Sequence, residues 1–188
     1  MDGVRRIREA LASGELTSAD LTARKLAAFL GRTTSVLYHH WGSLDGLLYT
    51  VSQDGYRVLG ERIAGASAGG LPAVAEAYVV FGLDHPALYT VMFERRYDWA
   101  ALRASKVCEG ELSPGLGLWE RVVDATRRAG SDDAEADARV LYAGLHGLVS
   151  LALSGRANIG DLSISDRDAA VLSARRLTAR VIPAKDET

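Results

Sequence analysis

The sequence predicts an all-α protein, a small three-helix head on a larger helical body, and three observations carry that prediction. Apolar residues recur three and four positions apart along the chain, as in Val4, Ile7, Ala10 and Leu11, the period of a helix with one buried face. Residues that start and stop helices stand at the ends of those stripes: Thr22, Thr33, Ser43 and Ser165 before them, Gly31, Gly130 and Pro183 after them. No stretch alternates apolar and polar residues as a half-buried strand does, and no internal repeat appears.

The first helix is expected over residues 2–13, with Val4, Ile7, Ala10 and Leu11 facing inward. Thr22 can cap a second, 23–30, whose Leu26, Ala27 and Leu30 share a face. Gly31 supplies the left-handed turn, Arg32-Thr33 complete a short connection, and Thr33 can cap a third helix over 34–40. In that helix Val36, Leu37, His40 and Trp41 are expected inward. Thr34, Ser35, Tyr38 and His39 are left pointing out, a face of hydroxyls, a phenol and an imidazole suited to a groove. Two steeply crossed helices of this kind place the second in the major groove, where small hydroxylated residues approach base edges. Thr34 and Ser35 are the first candidates for bases, with Thr22, Arg24, Thr33, Tyr38 and His39 placed for phosphate or base contacts. The bland alternative, two short helices with a Gly turn in any helical protein, stays open on spacing alone.

Ser43 caps a long helix to about residue 66, with Asp45 in its first turn and a stripe from Leu44 to Ile63. The expected boundary therefore falls at 43/44, giving a DNA-binding domain over 1–43 and a ligand-binding and dimerisation domain over 44–188. Ala66 to Gly70 reads as a loop, and Pro72 opens a helix carrying Val74, Tyr78, Phe81 and Gly82 as far as Asp84. His85-Pro86 interrupts it; Tyr89, Met92 and Phe93 then share a face. Trp99, Leu102 and Val107 suggest a further helix, and 109–117 reads as a loop. Leu116, Trp119, Val122, Val123 and Thr126 form a helix ending at Gly130, and Ser131-Asp132 is expected to cap the next, over 134–154. Gly144, Gly147, Leu151 and Ser154 give that helix a seam of mostly small residues that admits a close partner. Ser165 with Asp168 makes a capping box for the last helix, lined by Ala170, Ala174, Leu177 and Val181.

Two arrays of residues resemble those of a known family. Leu21-Thr22, Leu26-Ala27, Leu30-Gly31, Leu37-Tyr38, His40-Trp41 and Leu47-Leu48 resemble the N-terminal helix-turn-helix domain of TetR-family transcriptional regulators, over roughly the first quarter of the chain. Leu44 stands where such proteins usually carry a phosphate-gripping Lys, and Trp41 where Phe is commoner. Asp84-His85-Pro86, Met92-Phe93, Tyr142 and His146-Gly147 resemble the C-terminal domain of a TetR subgroup named for a Trp, a His and a Gly, with Tyr142 in place of the Trp. The resemblance implies an all-α homodimer that binds a double-stranded DNA operator.

Composition sets the limits of this reading. Through residue 46 six basic residues face five acidic ones, and the remainder has sixteen against nineteen, for a net charge of −2. So weakly polarised a monomer is a poor non-specific nucleic-acid binder, which favours two heads on one duplex. The two neighbouring terminal helices suit a dimer interface built from Gly144, Gly147, Leu151, Ala170, Ala174, Leu177 and Val181, with packing inside one chain as the alternative. Tyr78, Phe81, Tyr89, Met92, Phe93, Trp119 and His146 are candidates to line a pocket for a small, largely apolar ligand. His146 reads equally as a core histidine. The lone Cys108 fits a reducing cytoplasm and is read as a small buried residue rather than a thiol sensor. No signal peptide, membrane span, metal motif, cofactor fingerprint or paired nucleophile is found, so the protein is expected to be a cytoplasmic, non-enzymatic regulator, a repressor of transcription. The rivals are a helical ligand-binding or adaptor protein without DNA binding, and an enzyme using His146 as general base.

Overall fold

A computed structural model describes residues 2–104, 107 and 114–183. Among them the chain is all helical, without a strand. The helices are α1 (Asp2–Ser13), α2 (Ala23–Phe29), α3 (Thr34–Trp41), α4 (Leu44–Ala66), α5 (Gly70–Asp84), α6 (Pro86–Tyr89), α7 (Trp99–Ala104), α8 (Pro114–Arg128), α9 (Ala134–Leu153) and α10 (Asp166–Val181). Helix α6 runs into a π-helical turn, Thr90–Glu94. Cys108 and part of the loop expected over 109–117 lie outside the described residues. The rest of that loop is already helical, since Pro114 opens α8 with its ring at a position where no amide hydrogen is needed.

The chain forms two compact units, Met1–Val58 with His85–Gly115, and Leu59–Asp84 with Leu116–Thr188. In the first, Ile7 and Leu11 of α1, Leu26 of α2 and Leu47, Leu48 and Val51 of α4 are fully buried, so the expected stripes do become the core. Leu88, Tyr89 and Val91 complete it. Polar contacts fix the segment after α6 onto α4. Tyr56 donates its hydroxyl to the Met92 carbonyl, Tyr97 donates to the Leu48 carbonyl at 3.3 Å, and Arg95 pairs with Asp45 at 2.6 Å. Gly55 sits so close to Met92 that an added Cβ would lie 2.6 Å from its sulfur. His85 Nδ1–H donates to the Ala12 carbonyl at the end of α1 (2.8 Å).

In the second unit α5, α9 and α10 pack on one another. Val74, Tyr78 and Phe81 of α5, Leu141, Leu145 and Val149 of α9, and Ala170 and Ala174 of α10 are buried there. Ion pairs brace the rim: Asp84 takes Arg167 at 2.8 Å and Arg62 at 3.3 Å, and Glu76 takes Arg175. Three of the five expected caps operate as read, Thr22 accepting from the Lys25 amide, Ser43 from that of Gly46 and Ser165 from that of Asp168. Another start is shifted: Asp133, not Ser131-Asp132, caps α9 by accepting from the Ala136 amide. The helical run Leu44–Asp84 reaches a mean hydropathy of 1.3 over 18 residues, the measure of a membrane-crossing helix. It is not one rod. Gly70 breaks it with φ 71°, and Leu59, Ile63, Val74 and Tyr78 bury its apolar side chains in the second unit.

Candidate nucleic-acid interface

Helix α2 begins at Thr22, whose hydroxyl accepts the Lys25 amide at 3.3 Å, and it buries Leu26 and Ala27. It ends where Gly31 turns left-handed (φ 66°) and the Arg32 amide reaches back to the Ala27 carbonyl at 2.9 Å. Thr33 is then extended and starts α3 through its carbonyl, which accepts from Leu37. Its side chain makes no capping bond, a correction to its expected role. Because α3 is only two turns long and crosses α2, Leu37 is its one buried residue.

The rest of α3 is more open than its spacing suggested. Ser35, Tyr38 and His39 are exposed as expected, and Thr34 is half-buried. Val36 and His40, expected inward, are exposed as well, and Trp41 is only half covered. His40 stands between His39 and Trp41, ring centroids 5.4 and 5.5 Å away, instead of in a core.

The cations around this face divide into bound and unbound. Lys25 is held by Asp20 (2.9 Å) and the Ala19 carbonyl. That bond, with two more from Thr17, lowers the Asp20 carboxyl to about 2. Arg6 lies over the Phe29 ring and donates to its carbonyl, and Arg5 pairs with Asp2. Among the described residues no hydrogen bond or ion pair engages the side chain of the exposed Arg24 or Arg32, so both guanidiniums are open to a phosphate or a guanine. Leu44 is half-buried at the start of α4 and brings no charge.

The expected pocket residues do not gather in one unit. Tyr89, Met92 and Phe93 belong to the first, where Tyr89 and Phe93 pack with centroids 4.7 Å apart. Tyr78, Phe81, Trp119 and His146 belong to the second, where Trp119 carries Arg139 on its ring and Tyr142 stacks on His146 at 6.2 Å. Of the seven, Tyr78 lines an enclosed apolar cavity of the second unit, about 10 Å³, room for little more than one water. The expected dimer residues divide too. Ala170 and Ala174 are fully buried inside their own chain, and Gly144 is covered by Leu177, whose methyl would lie 2.5 Å from an added Cβ. Spacing could not tell which side of two Ala-rich faces turns inward. Gly147 and Leu151 remain open on one side of α9 with the exposed Val140, and the exposed Tyr142 and Leu153 lie on another side of the same helix. Among the described residues no three His, Cys, Asp or Glu come together as a metal site.

The chain belongs to the tetracyclin repressor-like C-terminal domain family, whose model matches residues 71–179. A protein of unknown function from Rhodococcus sp. RHA1 has a similar structure, with 22% identity, a TM-score of 0.69, and coverage of 96% of this chain and 95% of that one. The candidate regulatory protein SCO4313 is similar at 18% identity and a TM-score of 0.61, covering 91% and 96%. At such identities the likeness shows the fold. No curated protein matches the chain. Family and fold together make it a TetR-like, transcriptional-regulator type of protein.

Proposed function

We propose that the protein is a DNA-binding transcriptional repressor that reads a palindromic operator as a homodimer and lets go when a small, largely apolar molecule binds. Residues 1–43 read the DNA and 44–188 supply dimerisation and response. The observation that carries this is the α3 face. Ser35, Tyr38 and His39 stand in solvent on a short helix anchored by Leu37 alone, with the unengaged Arg24 and Arg32 beside it. Thr22 and Thr33 flank that face from the ends of the turn, and Thr34 enters it half-covered. Such a surface offers hydroxyl, phenol and imidazole groups to base edges and guanidiniums to phosphates. The dimer rests on one open side of α9, where the exposed Val140 and Leu151 and the uncovered Gly147 share a face.

A mobility shift on the DNA upstream of the protein's own gene tests the reading. Specific retardation that weakens steeply with added salt is expected. An adaptor that has lost DNA affinity, the reading Leu44 keeps alive, would give none at any salt concentration.

A further inference from the structure

Burial changes what α3 has to offer. With Leu37 turned inward, the helical period sets Ser35 and His39 opposite it and Val36 and Tyr38 on the two flanks of that outer ridge. Val36, expected in the core by its spacing, is 36% exposed on one flank. It lies in the first turn, where a helix seated in the major groove meets base edges. The chemistry of α3 narrows what that turn can tell apart. Between Thr34 and Trp41 there is no Arg or Lys to fork onto guanine, no Asn or Gln to pair with adenine, and no Asp or Glu to accept from cytosine. The hydroxyls of Thr34 and Ser35 both donate and accept, so they suit any base edge and carry little preference. Val36 has two methyl groups and no polar atom. Against most base edges it would strip water from a donor or acceptor and put nothing in its place. Thymine is the exception, because its C5 methyl is the apolar group that the major groove displays.

We propose that Val36 is the specificity-determining residue of α3 and reads a thymine C5 methyl in each operator half-site. The inference rests on the repressor reading and deepens it: α3 selects by an apolar contact, while Arg24 and Arg32, outside that helix, supply the charged ones. A β-branched side chain in a helix keeps essentially one χ1 rotamer, so the Val36 methyls arrive in place and little freedom is lost on contact.

The test lets the full-length protein enrich its own site from a pool of randomised duplexes. A palindrome with a thymine at a fixed place in each half is expected. Writing uracil for that thymine in both halves removes only the two methyl groups and should weaken binding by about tenfold. In Val36→Ala the same exchange should change binding by less than about twofold, and on the uracil duplex the variant should bind as the parent does. That last equality separates reading of the methyl from a structural role, and circular dichroism and melting confirm that the variant is folded. If no duplex is enriched, the repressor reading falls and the role of Val36 falls with it. If one is enriched but uracil costs the parent nothing, or costs the variant as much as the parent, the role of Val36 is overturned and the repressor reading stands.

Discussion

Single side chains set what the α3 face can do. Arg24 has no partner to lose inside the protein, so Arg24→Ala should leave the melting temperature unchanged and weaken operator binding by about 1–3 kcal/mol, read in a mobility-shift titration. Tyr38→Phe, which removes only a hydroxyl from an exposed ring, should do the same on a smaller scale. Elsewhere two ionisable groups couple stability to pH from opposite ends. Burial pushes the Asp54 carboxyl up, but its bonds to Arg8 and Arg57 outweigh that and hold it below the ordinary range. A depressed carboxyl stabilises the fold above its unfolded value and is lost as pH falls through the folded one, so acid melting should begin below about pH 4. In Asp54→Asn that acid-side slope should shrink, at the cost of lower stability at neutral pH. Tyr97 is the converse: burial, offset only in part by a hydrogen bond with Ser52 and by the Arg95 charge, lifts its phenol to about 12. Kept neutral in the fold, it contributes stability present below about pH 10 and lost as pH rises toward the folded value. Tyr97→Phe should flatten the alkaline limb of a melting-versus-pH curve.

At the scale of helices, glycine separates packing from propensity. Gly144 lies under Leu177, so Gly144→Ala must displace the end of the Leu177 side chain and should cost about 1 kcal/mol in chemical denaturation. Gly65, in the last turn of α4, has open space where a Cβ would go, and Gly65→Ala should instead stabilise by up to about 1 kcal/mol. If the two substitutions move stability in the same direction, the α9–α10 contact is not as tight as described. This is also where the sequence was most legible. Helix starts and ends follow from caps, left-handed glycines and prolines within a few residues, and the bounds of α1, α4 and α10 could be read almost to the residue. Burial is less local. Leu37 is the one buried residue of the two-turn α3, and Val36 and His40, sound core candidates by periodicity, face water. The π-helical turn at Thr90–Glu94 has no signature that distinguishes it from an ordinary turn of helix.

The whole molecule was harder to foresee. Its all-helical class follows from local pattern, but the seven aromatic and polar residues expected in one pocket lie in two units, a partition that depends on tertiary contacts no period encodes. The α9 surface makes an assembly-level prediction: Leu151→Glu should drive the proposed dimer to monomer in sedimentation velocity and abolish cooperative retardation of a palindromic site. If the two heads bind together, inserting half a helical turn between half-sites should weaken binding by an order of magnitude or more, since the second head then faces the wrong side of the duplex.

The first unit is discontinuous in sequence, and synthesis runs in one direction. Residues 1–58 leave the ribosome without Leu88, Tyr89 and Val91, the side chains that close their core, and must wait for 85–115 to arrive. Helices α2 and α3 therefore emerge early and mature late. A nascent chain halted before residue 85 should be digested quickly by added protease, and one halted well beyond residue 115 should resist it.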